Sequence, residues 1–267
     1  MKKGFMLFFT ALVLITGLAV ADGVGLSAGL ELAMPDVNNA EEFPLEITAI
    51  IEYDNSFDDL DIWAELRTPM GIAGDAKAGD ETSIGIELEF DAGYNLALSD
   101  VSTLSLGLWG QMNIPVSPSG GDLTLPLMPW ISFNQEMDFG DIYVTLGVPL
   151  GFINTDFDEL EMGLDLTLGW AGNFGLGIEL TTHFMFAPAD YVDTYDGLTL
   201  LLSYETGPVY AELEMALPND FDFGIGIDLL VEYDFDPWTF YFSVGFDGVG
   251  SDYDIGISPA LGVKFSF

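Results

Sequence analysis

Apolar residues alternate with small or polar ones along almost the whole chain, in fourteen segments separated by short connections. In the last segment, for example, Leu261, Val263 and Phe265 alternate with Gly262 and Lys264. A period of two places successive side chains on opposite faces of a β-strand, and about 9–11 such residues suffice for a tilted strand to cross a bilayer. The segments are residues 23–34, 45–53, 60–67, 83–96, 103–114, 123–134, 141–151, 160–170, 174–186, 198–205, 209–217, 223–235, 238–247 and 253–267.

The apolar face of every segment is free of charge, although the chain has 44 acidic residues. A charge facing lipid near the bilayer midplane costs about 2–4 kcal/mol for Lys or Arg and less for an acid, so a lipid-facing wall requires this pattern. A soluble β-sandwich alternates too, but rarely so cleanly in every strand. We predict an all-β fold, a single antiparallel transmembrane β-barrel of fourteen strands, with twelve as the alternative. Short periplasmic turns, such as residues 54–59, alternate with short to medium extracellular loops.

The opposite face of the same segments is acidic and rich in glycine. Carboxylates and small residues cannot fill a wide interior with a dry core, so we predict that water fills it. If the hairpin between residues 209 and 235 is centred on residue 220, Glu212 lies directly opposite Asp228. The candidate pore-lining residues are Glu65, Glu87, Glu89, Glu161, Asp165, Glu179, Glu212, Glu214, Asp228, Glu232, Arg67, His183 and Lys264.

The chain ends on an alternating strand whose last residue is Phe267. A final strand with a terminal aromatic resembles that of the bacterial outer-membrane β-barrels, and the mature chain is porin-like throughout, although no motif picks out one porin family. The resemblance implies a place in outer-membrane lipid, insertion by the barrel assembly machinery and a role for Phe267 as an assembly signal. Porins often fold one extracellular loop into the lumen. The segment from Thr68 to Thr82 is the candidate here, and a surface loop is the favoured alternative.

At the other end, two lysines precede an apolar run that ends at Val20, and an A-x-A site ends at Ala21. This arrangement is typical of a secretory signal peptide that is cleaved between Ala21 and Asp22. We therefore predict that residues 1–21 are the signal and that residues 22–267 form the barrel. The alternative is a transmembrane anchor, for which the run is barely long enough.

Without the signal, the chain keeps three basic residues, Arg67, Lys77 and Lys264, against 44 acidic ones, which is a net charge of −41. Such a chain repels phosphates, so nucleic acid is excluded as a partner. It attracts cations, although adaptation to a saline or divalent-rich medium would explain the total charge equally well. Cys is absent, so neither a disulfide nor thiol chemistry is available.

Few side chains offer chemistry beyond charge. A lone histidine, His183, cannot build a His-rich metal site, and we predict no enzyme activity, no metal site and no cofactor. Trp63, Trp109 and Trp130 fall on the polar face, where they fill space or form a stacking surface for sugars. Loop carboxylates could hold Ca²⁺ loosely, although solvated charge is the favoured interpretation. These carboxylates are Asp156, Asp158, Glu159, Asp190, Asp193 and Asp196.

Taken together, these patterns predict an outer-membrane pore for passive diffusion of small solutes, with a cation preference that comes from an acidic lumen. The first alternative is a structural or surface-interaction barrel that displays acidic loops and conducts little. A remote alternative is an outer-membrane hydrolase built on His183.

Overall fold

The structure is a computed structural model that describes residues 25–34, 45–72, 83–117, 124–153, 156–187, 197–218, 224–250 and 255–267. Within these residues the regular elements are β-strands, and no helix is present that is long and apolar enough to cross a membrane. The strands are β1 (Gly25–Ala33), β2 (Leu45–Phe57), β3 (Leu60–Ile72), β4 (Ser83–Ser99), β5 (Ser102–Ser117), β6 (Leu127–Met137), β7 (Gly140–Gly147), β8 (Leu150–Ile153), β9 (Asp156–Gly172), β10 (Leu176–Ala187), β11 (Gly197–Thr206), β12 (Val209–Pro218), β13 (Ile225–Phe235), β14 (Trp238–Val249) and β15 (Gly256–Ser266).

These strands form one closed antiparallel sheet, in which the last strand, β15, pairs with β1. β7 and β8 share a single position between β6 and β9. Val148 and Pro149 interrupt what was predicted as one strand, and proline has no N–H to donate to the ladder. Fifteen strands therefore occupy fourteen positions, which confirms the predicted fourteen-stranded antiparallel barrel.

One end of the barrel carries only tight turns among the described connections. They lie at residues 58–59, 100–101, 138–139, 173–175, 207–208 and 236–237. Both ends of the described chain lie here too, because the N–H of Phe267 donates to the carbonyl of Leu26 at 3.0 Å. The opposite end carries the connections that fall on undescribed residues. The two ends therefore differ as predicted, with one exception: the gap predicted between residues 151 and 160 shrinks to residues 154–155, because β9 already begins at Asp156.

Several strands are longer than their apolar pattern. β2 continues to Phe57, four residues past its predicted end, because the polar stretch from Asp54 to Ser56 pairs in register with β3. The predicted turn at residues 54–59 thus shrinks to Asp58 and Asp59. Asp58 has a φ of 53°, a left-handed conformation that Asp tolerates better than most residues. Apolar alternation marks only part of each strand, so it underestimates strand length.

The segment from Thr68 to Thr82 is also partly strand. β3 runs to Ile72, and Thr68 pairs with Ala49 of β2, so the predicted connection starts five residues too early. Residues 73–82 lie outside the described part of the chain. Whether this connection folds into the lumen or stays on the surface therefore remains a prediction.

The predicted apolar face carries exposed, large hydrophobic side chains in strand after strand. On β13, Leu229, Val231 and Tyr233 expose 36%, 37% and 48% of their surface. Between them, Leu230 and Glu232 belong to the opposite face. A wall of exposed hydrophobic residues is unsuited to contact with water, and such residues occur on most strands of this barrel.

Candidate functional site

Side chains of the polar face reach across intervening strands. Lys264 of β15 donates to Glu52 of β2 at 2.8 Å across β1, and Trp130 of β6 donates to Asp91 of β4 at 3.0 Å across β5. Such contacts form on the concave side of a closed sheet, where side chains converge. The polar face is therefore the inner face of the barrel wall, and the apolar face is the outer one.

The described basic side chains Arg67 and Lys264 meet in one group, which we call the ion-pair cluster. Guanidinium nitrogens of Arg67 lie 2.6 Å from Glu31 and 3.2 Å from Glu65. The Lys264 ammonium, besides its bond to Glu52, lies 3.9 Å from Glu65. The members are Arg67, Lys264, Glu31, Glu52, Glu65 and Glu87, the last at 3.9 Å from Arg67.

Sequence reasoning assigned Arg67, Lys264, Glu65 and Glu87 to the polar face but missed that they meet. The pairing of β1 with β15 brings Lys264 to a residue 212 positions earlier in the chain, and alternation says nothing about such distant contacts.

The ion-pair cluster is densely packed on its inner side. Glu65 is 7% exposed, and the neighbouring inward residues Thr48 and Ile50 are each 1% exposed. Tyr241 of β14 adds a hydrogen bond to Glu31 at 2.9 Å and is itself buried. The wall around β14, β15 and β1–β3 is therefore covered by paired side chains, in which two cations partly offset the charge of four carboxylates.

A second acidic group lies on β12 and β13 and has a different character. Glu214 stands directly opposite Asp228, and Glu212 and Glu232 occupy the same face. Among the described residues, none of these four carboxylates makes an ion pair with a basic side chain. Asp228 is exposed on the inner face. Like charges directly opposite on paired strands are destabilising, so this arrangement is not explained by strand pairing.

The register of this hairpin corrects one prediction. Glu212 faces Leu230 rather than Asp228, because the pairing is centred on residue 221 and not on residue 220. A shift of two positions keeps every side chain on its face, so the alternation fixed the face but could not distinguish the two registers. Glu212 instead accepts a hydrogen bond from Tyr210 of its own strand.

Each inward tryptophan donates its indole N–H to a carboxylate. Trp63 donates to Glu52 at 3.4 Å, Trp109 to Glu89 at 2.8 Å, and Trp130 to Asp91 at 3.0 Å. The sequence placed all three indoles on the polar face but gave no sign of their partners. Asp91 was absent from the predicted pore-lining residues, and its position on the same face as Glu87 and Glu89 was the signal for it.

His183 lies between two polar partners. Its Nδ1 is 2.9 Å from Asp165, and its Nε2 is 3.1 Å from the hydroxyl of Thr199. This order of acid, imidazole and hydroxyl is that of a hydrolase triad. However, β11 is paired on both sides by β10 and β12, so the N–H groups around Thr199 belong to the ladder and leave no oxyanion hole in the described structure.

The remaining predicted residues are placed as follows. Glu179 lies on the inner face beside Tyr143. Glu161 pairs with Gly151 in the β8–β9 ladder, but its side chain is outside the described part. Residues 1–24, with the predicted cleavage site, are also outside it, and so are Asp190, Asp193 and Asp196. The prediction that Asp156, Asp158 and Glu159 belong to a loop is wrong, because β9 begins at Asp156, four residues before the apolar pattern does; their side chains lie outside the described part. Within the described residues, no group of three His, Asp or Glu side chains is arranged to hold a metal ion.

A cavity of about 310 Å³ opens on the inner face near the two ends of the described part of the chain. Glu52, Asp54, Glu232 and Asp234 line it, together with Lys264. Four carboxylates around one ammonium make this part of the tight-turn end of the barrel acidic.

No known protein family and no curated protein matches the sequence. Solved structures that are similar to this chain include two engineered variants of the porin of Rhodopseudomonas blastica. One is 12% identical over 91% of this chain and 99% of that chain, with a TM-score of 0.45. The other, a triple mutant, has the same identity and coverage and a TM-score of 0.42. The KdgM porin is 14% identical over 90% of this chain and 99% of that chain, with a TM-score of 0.41.

Proposed function

We propose that this barrel lies in the bacterial outer membrane and is a passive pore for small solutes that prefers cations. One contrast carries the proposal. Glu52 and Glu65 stand directly opposite each other, and Lys264 contacts both. Glu214 and Asp228 stand opposite each other in the same way, but neither makes an ion pair with a lysine or an arginine among the described residues.

An uncompensated acidic pair costs stability, so its presence on an inner, water-accessible face supports a role in attracting positive charge. Carboxylates along a pore wall draw cations in and repel anions, as acidic rings do in cation channels. The pore-lining group would comprise Glu65, Glu87, Glu89, Glu161, Asp165, Glu179, Glu212, Glu214, Asp228, Glu232, Arg67, His183 and Lys264.

The outer face supports the location. Its strands present exposed hydrophobic side chains, and the alternating segments carry no charge on that face, which matches the hydrocarbon layer of a bilayer. Phe267 exposes 44% of its surface at the chain end, where the barrel assembly machinery would recognise it. A cleaved signal peptide over residues 1–21 would deliver the chain to the periplasm.

A structural barrel with little conductance is the second candidate. The packing of the ion-pair cluster favours it, because Thr48, Ile50 and Glu65 are almost completely covered by neighbouring side chains. The hydrolase alternative is weaker, since the His183 group lacks an oxyanion hole.

Conductance separates the two main candidates. The refolded protein is added to a planar bilayer between KCl solutions of unequal concentration. A pore gives discrete current steps and a reversal potential toward the K⁺ equilibrium, whereas a structural barrel gives no steps.

A further inference from the structure

Three tryptophans of the inner wall lie on neighbouring strands around one carboxylate, Asp91. In the strand register, Asp91 of β4 stands between Trp63 of β3 and Trp109 of β5. Strands lie about 4.8 Å apart, so these two residues flank Asp91 at one strand spacing on either side, and their indole N–H groups bond to Glu52 and Glu89. Trp130 of β6 reaches across β5 to donate its N–H to the same carboxylate at 3.0 Å.

The Trp130 indole lies against the wall, because glycines make room for it. A Cβ at Gly107 would collide with the ring, and a Cβ at Gly93 would come within 3.0 Å of it. One ring face thus covers the backbone of β4 and β5, and the other is turned to the lumen. Trp130 is only partly buried, as are Trp63 and Trp109, so a solute in the lumen can reach all three rings.

The chemistry of this group suits a large, weakly hydrated cation. The face of an indole is negative and attracts cations, most strongly for tryptophan among the aromatic residues. A carboxylate that accepts the indole N–H pushes further negative charge onto the ring. Here all three indoles donate to carboxylates, namely Glu52, Glu89 and Asp91. Glu52 is shared with Lys264, whereas Glu89 and Asp91 have no basic partner in the described part of the barrel.

We propose that Trp63, Trp109, Trp130 and Asp91 form a binding site in the pore wall for organic cations with a quaternary ammonium group. Aromatic rings around a carboxylate are the arrangement that recognises such groups, because the rings replace a weak hydration shell and the acid supplies the charge. The site rests on the proposed function in one respect, which is that the ligand reaches it through the lumen.

The five tryptophans of the chain allow a direct test in solution. Trp170 and Trp238 lie on the outer face, so a W170F/W238F protein keeps only the three proposed ligand contacts as fluorophores. This variant, folded in detergent, is titrated with choline chloride against KCl at constant chloride. A saturable change in tryptophan emission with choline, and none with KCl, is expected. The neutral isostere 3,3-dimethyl-1-butanol should bind at least about tenfold more weakly, since it lacks the cation.

Two substitutions test whether the change in tryptophan emission comes from the proposed site. Asp91→Asn keeps an oxygen to accept the Trp130 N–H but removes the charge, and should weaken choline binding about tenfold. Asp228→Asn removes one inner-face charge elsewhere and should leave the binding unchanged. Equal binding of choline and its neutral isostere, or equal loss in both variants, would overturn the site. Choline binding in detergent without any bilayer conductance would instead refute the pore and leave the site in place.

Discussion

The ammonium nitrogen of Lys264 lies 2.8 Å from a carboxylate oxygen of Glu52, although the residues stand 212 positions apart in the chain. β1 lies between their strands, so the contact spans the seam where the last strand meets the first. Glu52 stands opposite Glu65, which is 3.9 Å from the same ammonium. One lysine therefore offsets the repulsion of an acidic pair at the closure of the barrel.

Lys264→Met should destabilise the barrel by about 2 kcal/mol. This is less than the roughly 3–5 kcal/mol that removing one partner of a fully buried ion pair costs, because the side chains of Lys264 and Glu52 both keep some exposure. The measurement is the midpoint of guanidinium unfolding in lipid vesicles. Adding Glu52→Gln to the lysine variant should restore part of the loss, since it removes the carboxylate left without a partner. Lys264→Arg serves as the control that keeps the charge. A Met variant as stable as the parent would mean that the seam contact contributes nothing.

Two adjacent leucines on β13, Leu229 and Leu230, test the assignment of the outer and inner faces when each is replaced by lysine. Leu229→Lys places an ammonium on the outer face and should cost about 2–4 kcal/mol in a bilayer. Leu230→Lys points inward opposite Glu212 and should be tolerated or stabilising. Both variants are compared by folding yield in vesicles of one lipid. If the two variants folded equally well, the outer face would not contact hydrocarbon.

Alternation was enough to predict the number of strand positions and which face of the described strands is polar, because a period of two places alternate side chains on opposite faces. It could not predict that Lys264 meets Glu52, since ring closure joins distant parts of the chain. It also could not predict that Glu214, and not Glu212, faces Asp228, because a two-residue shift preserves the pattern. The indole–carboxylate bonds of Trp63, Trp109 and Trp130 depend on side-chain reach across strands, which no local pattern encodes.

Epitope tags test the orientation of the barrel. With both chain ends on the periplasmic side, a tag between residues 75 and 78 or between 190 and 193 should react with antibody on intact cells. A tag inserted between Asp58 and Asp59, at the tight-turn end, should react only after the outer membrane is opened. The reverse pattern would show that the barrel is inserted the other way round.

Phe267 is expected to act in assembly and not in stability alone. Its ring makes an edge contact with Phe265 at 5.0 Å between centroids, and much of it stays exposed. Phe267→Ser should lower the amount of heat-modifiable barrel in the outer membrane while export to the periplasm continues. Phe235→Ser is the matched control, because Phe235 is an exposed aromatic (65%) at the same end of the barrel. An equal loss in both variants would point to general interface effects instead of a terminal signal.

The most direct test of the cation-preferring pore is the reversal potential of single barrels under a KCl gradient, with and without the acidic group of β12 and β13. The parent should prefer K⁺ over Cl⁻, more strongly at low salt, because the Debye length falls from about 10 Å at 0.1 M to about 3 Å at 1 M. Neutralising Glu212, Glu214, Asp228 and Glu232 together should move the reversal potential toward zero. A control that neutralises four turn acids should leave it unchanged; these acids are Asp58, Asp100, Asp138 and Asp236. Anion preference, or an equal shift in both variants, would contradict the account.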